Sequence, residues 1–312
     1  MEQPSDSNFS VNTNMEAAFN SNYSKPATDL IVQRFSCRTY EKAPIRENLR
    51  TRLANYASRT TVGPLGGEAR FQLVAGWEED LRELRSLGTY GFIKGATGFI
   101  VGATGSDGKH LEDFGYLLEK IILFATDLGL GTCWIGGTFT RTSFARKIEV
   151  SEHEMVPSVA SVGYIAKKPR RIDGLIRKGA KADNRLPWED LFFHNNFENS
   201  LKRENAGEYA EALEMVRLGP SASNHQPWRV VKAGEKWHFF LKRTPGYNER
   251  LLVKLTGMAD LQRIDMGIAL CHFELTAREL GLSGRWVKEE PDIHKPDGNY
   301  LYTASWFDGN NG

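Results

Sequence analysis

Three stretches of this 312-residue chain carry side chains whose types and spacing suit a flat, charged ligand. In the first, Arg34, Ser36 and Arg38 alternate, so extended backbone turns all three to one side. Two guanidiniums around a hydroxyl suit a phosphate or another planar anion. The same alternation also describes an ordinary solvated strand face. In the second, Pro220-Ser221-Ala222-Ser223-Asn224-His225-Gln226-Pro227-Trp228, a loop stiffened by Gly219, Pro220 and Pro227 offers Ser221, Ser223, Asn224 and Gln226 as donors and acceptors. A plain surface turn uses the same residue types. The third runs from Gly129 to Gly137 through Ile135 and Gly136, with glycines that permit close backbone approach and leave amides free to donate. Its simpler reading is a helix stop followed by a turn.

Other chemistry finds little support. His110, His153 and His294 lack metal-ligand spacing, so no metal site is expected. Cys37, Cys133 and Cys271 include no CxxC pair and are too scattered for a disulfide framework. No GxGxxG between strand and helix and no Walker loop is present, so a nicotinamide donor would visit only transiently.

The elements that must hold these stretches follow from periodicity. Helices are expected over residues 29–35, 45–57, 79–87 and 209–218, and strands over 71–77, 97–103, 157–164, 229–233, 237–241 and 300–307. Residues 111–128 are apolar nearly all round and read as a central buried helix, and residues 258–280 read as a second long buried helix. Residues 167–171 read as a basic loop, the 251–255 run as core, and residues 1–27 as a mobile tail.

The two long helices repeat one another. Asp113, Gly115, Leu118, Leu123, Ala125, Leu128, Gly129, Leu130 and Trp134 recur 152 residues later as Asp265, Gly267, Leu270, Leu275, Ala277, Leu280, Gly281, Leu282 and Trp286. The chain therefore reads as one fold written twice, with half A at 28–190 and half B at 191–312.

Taken together, these motifs resemble the nitroreductase superfamily of FMN-dependent oxidoreductases, in particular members with two half-repeats fused in one chain. Arg34-x-Ser36-x-Arg38 matches an N-terminal motif, and the Pro220–Trp228 loop matches Pro-Ser-x-x-Asn-x-Gln-Pro-Trp at every fixed position. Leu128-Gly129-Leu130-Gly131 matches the end of the central helix, and Asn184-Arg185-Leu186-Pro187-Trp188 is similar to the closing segment. The resemblance implies an α+β sandwich with mixed sheets, folded as an intramolecular pseudo-dimer and monomeric in solution. It implies that Arg34 and Ser36 hold the FMN phosphate with Arg185 and Lys181, and that Arg38 sits near the pyrimidine edge. Ser221, Ser223 and Asn224 would bond the ribityl chain or ring, on a loop fixed by Pro220 and Gln226. The Ile135-Gly136-Gly137 amides would face flavin N5, and Tyr90-Gly91 would touch the flavin edge. Half A has Val62-Gly63-Pro64-Leu65 where the Pro-Ser loop should be, and half B has Phe192–Asn196 where Arg-x-Ser-x-Arg should be. One FMN per chain is therefore expected. The implied activity is NAD(P)H oxidation coupled to an electron-poor small-molecule acceptor, a nitroaromatic or a quinone. The alternative is a scaffold of the same fold, flavin-binding or flavin-free, without catalysis.

Composition agrees with a folded chain. With 40 basic and 39 acidic residues the net charge is +1, which argues against nucleic acid or an anionic membrane as partner. No run approaches the roughly 20 apolar residues of a spanning helix, and the amino terminus lacks a signal-peptide layout. A cytoplasmic location is expected.

Overall fold

The computed structural model describes residues 23–76, 91–108, 110–137, 139–168, 170–179, 184–245 and 259–308. Its helices are α1 (Ala27–Gln33), α2 (Glu47–Arg59), α3 (Leu111–Asp127), α4 (Arg141–Lys147), α5 (Arg171–Gly179), α6 (Ala210–Leu218) and α7 (Leu261–Glu279). The strands are β1 (Ala69–Ala75), β2 (Gly98–Gly105), β3 (Gly131–Ile135), β4 (Glu154–Met155), β5 (Val159–Gly163), β6 (Phe192–His194), β7 (Trp228–Ala233), β8 (Lys236–Lys242), β9 (Gly284–Val287) and β10 (Tyr300–Asp308). None of the described helices is long and apolar enough to cross a membrane. The expected helix at 79–87 and the 251–255 run lie outside the described residues, as do Tyr90 and Lys181.

Two five-stranded sheets enclose α3 and α7. The first has the order β1-β2-β5-β3, with β4 paired to β2; its ladders are antiparallel, and Ser36 adds a parallel bridge to Thr132. The second has the order β6-β7-β8-β10-β9, parallel only between β6 and β7. Alternation along β2 buries both of its faces. Ile100 joins the main core, while Phe99, Val101 and Ala103 pack with Phe139, Phe144 and Ile148 beneath α4. Phe239, Leu241 and Trp306 of the second sheet close the main core on the opposite side.

The helices α3 and α7 are buried on nearly every side and lie against each other near their amino-terminal ends. Gly115 abuts the Ile264 carbonyl, and Gly267 abuts the Glu112 carbonyl and the Tyr116 amide. Neither position has room for a side chain, because backbone cannot swing aside. Gly267→Ala is therefore expected to lose about 1–3 kcal/mol of stability by overpacking. Gly174→Ala, where nothing lies within 4 Å, should lose none; urea unfolding compares the two. Both helices stop alike. Gly129 and Gly281 each adopt φ +77°, and the following amides of Leu130 and Leu282 donate to Ala125 and Ala277.

Some expectations change. Order extends back to Tyr23, because Ser24 bonds Asp127 through both its amide and hydroxyl, and Ala27 and Thr28 bond Glu279. The glycine-rich stretch after α3 is a strand, β3, rather than a turn. Arg171 begins a helix rather than closing a basic loop.

Two titratable groups, one in each sheet, make the fold sensitive to acid. Burial, and then the charge of Lys236, pull His238 down from 6.5 to about 4. The Arg70 hydrogen bond holds Glu154 down from 4.5 to about 2. In both cases the unfolded chain takes up the proton first, so stability falls as acid is added. His238 acts between pH 6.5 and about 4, and Glu154 between 4.5 and about 2. Urea titrations should give unfolding free energies that descend through both windows, and Glu154→Gln should flatten the lower one.

Candidate functional site

The loop from Gly219 to Trp228 is the most constrained segment of the candidate site. Ser223, Asn224 and Gln226 all have positive φ (52°, 56° and 49°), three left-handed non-glycine residues within four positions. Such backbone costs of order 1–3 kcal/mol per residue and persists only where surroundings over-determine it. Here they do. The Ser221 hydroxyl accepts the Gln226 amide at 2.9 Å, and Gln226 Oε1 accepts the Leu186 amide at 2.8 Å. Asn224 Nδ2 donates to the Asn184 carbonyl at 3.0 Å, and Arg185 Nη2 donates to the Leu218 carbonyl at 3.0 Å. Buried Arg229 donates to the Gln226 carbonyl, and Asp265 in the first turns of α7 takes the Ala222 amide at 3.0 Å. Gln226 is thus a buried clasp, and Asn224 and Arg185 knit the loop to residues 184–186. Ser223 is exposed at the loop's surface, and Pro220 and Ser221 are half-buried at its start.

Residues 34–38 leave α1 in extended form and run beside β3. The Cys37 amide donates to the Thr132 carbonyl at 2.8 Å. Burial pushes the Cys133 thiol up, against the charges of Arg38 and Arg34 and a Ser36 hydrogen bond. All three residues of the alternating motif thus lie within electrostatic reach of Cys133 on β3. Residues 91–94 run alongside: Lys94 donates to the Arg38 carbonyl, and the Gly91 carbonyl accepts from Arg170. Arg170 also bonds Thr39 and pairs with Asp173, so this cation of the basic stretch is a brace. Past β3, Ile135 turns its side chain into the smaller core, and its carbonyl accepts from Ser158. Gly136 lies against Leu261, the first residue of α7.

A buried polar chain joins these two walls. Arg34 Nε stands 3.6 Å from Glu119 Oε1, the two side chains being 6% and 0% exposed. Glu119 Oε1 also contacts His272 Nε2 at 3.0 Å, and Oε2 accepts the Trp134 indole N–H at 2.7 Å. His272 Nδ1 lies 2.9 Å from the Met215 carbonyl, near the end of the helix that leads into the Gly219–Trp228 loop. Burial works to raise the Glu119 carboxyl. The His272 hydrogen bond, the Arg34 and His272 charges and the Trp134 N–H outweigh it, leaving the group below its ordinary value. Arg34 Nε itself is buried and has no hydrogen-bond partner.

Sequence reasoning passed over Glu119, His272 and the role of Asp265. The signal was present in the repeat, because a charge near the start of a long buried helix recurs at both Asp113 and Asp265. Asp113 takes the Leu65 and Gly67 amides at 2.8 Å each, as Asp265 takes that of Ala222. Trp134 and Trp286 each donate their indole N–H to a buried glutamate, Glu119 and Glu274. The charge at Glu119 in mid-helix was the other legible sign.

Comparison with known proteins adds a family and a fold. A family profile described as "Putative TM nitroreductase" matches residues 27–277. A solved structure described as "a putative nitroreductase" from Thermotoga maritima is 20% identical, with a TM-score of 0.56 over 91% of this chain and 94% of that one. One described as "Putative NADH dehydrogenase/NAD(P)H nitroreductase" from Parabacteroides distasonis is 18% identical, covering 46% of this chain and 89% of its own, with a TM-score of 0.37. Another, described as an "oxidoreductase containing FMN", is 17% identical over 47% of this chain and 83% of its own, with a TM-score of 0.38. No curated protein matches the chain.

Proposed function

Because the chain belongs to the nitroreductase family, we propose that it is an FMN-dependent oxidoreductase that draws electrons from NAD(P)H and delivers them to an electron-poor acceptor such as a nitroaromatic or a quinone. When bound, FMN supplies hydride acceptance and donation at N5; the protein supplies binding, orientation and charge. The observation that carries the reading is the buried Arg34 guanidinium, whose Nε faces Glu119 at 3.6 Å and makes no hydrogen bond. With Nε turned to Glu119, the terminal nitrogens are charge-assisted donors suited to an anionic ligand.

In this reading Arg34 and Ser36 hold the phosphate, with Arg185 and Lys181 adding charge. Arg38 lends positive charge to the pyrimidine edge. Ser221, Ser223 and Asn224 meet the ligand from the opposite wall, on a loop whose shape Gln226 fixes. The Gly136 and Gly137 amides face N5, and Tyr90-Gly91 lies at the ring's edge. The two walls come from different halves of the chain, so we read the molecule as an internal pseudo-dimer, monomeric in solution, with half A at 28–190 and half B at 191–312. The Asp-tethered loop of half A lacks the serine and asparagine of its counterpart.

The test is an absorbance spectrum of the purified chain, followed by denaturation and quantitation of released flavin. One FMN per chain is the expected result, with light scattering reporting a monomer. Two per chain would overturn the single-site reading. None after incubation with excess FMN would replace the enzyme by a scaffold of the same fold.

A further inference from the structure

The flavin reading leaves unexplained why a carboxylate stands in the middle of the most apolar helix of the molecule. Glu119 and His272 are both 0% exposed, and a buried charge costs several kcal/mol unless it is paired and hydrogen-bonded. Apolar residues of similar volume are often as good or better for stability at such a place, so helix packing alone does not account for the pair. The geometry points to a different role. Glu119 Oε1 is shared between His272 Nε2 and Arg34 Nε, while Trp134 fixes Oε2, so the carboxylate cannot rotate away. His272 presents both ring nitrogens to acceptors, Glu119 on one side and the Met215 carbonyl on the other.

We infer that Glu119 and His272 are positioning residues. They hold the Arg34 guanidinium by its Nε edge and tie it to the helix that carries the Gly219–Trp228 loop, so that the two walls of the site keep one spacing. The inference rests on the flavin reading of that site. The terminal nitrogens of Arg34 are then left for the ligand, and the guanidinium meets it in one orientation rather than several. Orienting the donors in advance removes an entropic cost from binding without adding a contact.

The test is the double variant Glu119→Gln/His272→Gln in the full chain. Amides at both places keep hydrogen-bonding capacity toward Trp134 and Met215. Thermal melting on the same samples separates lost stability from lost affinity. The FMN dissociation constant, read by quenching of flavin fluorescence on titrating FMN into flavin-free protein, should rise about tenfold. Adding the pair to Arg34→Ala should cost little further affinity, because the pair acts through Arg34. Wild-type affinity in the double variant, or full additivity with Arg34→Ala, would overturn the inference and leave the flavin reading intact. Absence of FMN binding in the wild type would overturn both. Should the double variant not fold, the wild-type chain carries the test through its Arg34 Nε–H proton resonance. Slow solvent exchange and a shift on adding FMN are expected; exchange as fast as in free arginine would refute the anchoring.

Discussion

Replacing both guanidiniums, Arg34→Ala with Arg38→Ala, is expected to strip the chain of FMN while leaving it folded. The magnitude follows from the bonds lost. A hydrogen bond to a charged group contributes about 1.5–3 kcal/mol, so two such donors account for about 3–6 kcal/mol. That is roughly a 10²- to 10⁴-fold rise in dissociation constant, enough to carry a tightly held cofactor through purification as an empty protein. The fold should survive, because Glu119 keeps His272 and Trp134 as partners, and Arg38 makes only a 3.4 Å contact to the Ser36 carbonyl. Quantitation of released flavin and a melting curve on one sample separate the two effects. Wild-type flavin content in the double variant would remove residues 34–38 from the site.

The second large effect concerns stability. Glu119→Ala removes the only acceptor of the Trp134 indole among the described residues and leaves the buried Arg34 guanidinium without its counter-charge. Removing one partner of a buried ion pair typically costs 3–5 kcal/mol, because the remaining charge stays desolvated and uncompensated. For a chain of this size that corresponds to a fall in melting temperature of about 10 °C. An exposed ion pair gives the scale: Lys236→Ala, whose partner Glu289 is 3.7 Å away with its side chain 76% exposed, should move the melt by less than about a degree or two. Equal melting temperatures for the two variants would mean that Glu119 is not charged in the folded chain.

The sequence carried the long helices plainly, because apolar residues on every side have no reading except burial. The Leu-Gly-Leu stop at 128–130 and 280–282 also translated directly, since a left-handed Gly after a helix has a fixed hydrogen-bond pattern. The strand β3 did not. Glycines at 129, 131, 136 and 137 read as a turn, and the segment between them extends because Gly163, Val162 and Ser161 pair with Gly131, Thr132 and Cys133 from a strand nearly thirty residues on. Within the site, polar residue type announced Arg34 and Asn224, but not which side chains clasp the loop and which face outward. Gln226 looks from sequence like a ligand contact and is instead buried, spent on the Leu186 amide. Hydrogen-bond partners that lie 40 residues apart leave no local periodicity to read. Glu119 was harder still: its partners lie 85 residues before it and 153 after it, and only the three-dimensional fold brings them together.

That separation bears on how the protein is made. At roughly 5–20 residues per second, the ribosome needs on the order of ten seconds or more after finishing α3 before α7 can emerge. During that interval α3 exists with a bare carboxylate at its middle, no imidazole beside it, and an open channel at Gly115 where the Ile264 backbone will later lie. The amino-terminal sheet can pair on its own, but the helix behind it has half its apolar surface still in water. A nascent chain in this state is a natural client for a holdase, and a stop codon placed before residue 261 should yield a product that aggregates rather than a smaller folded protein.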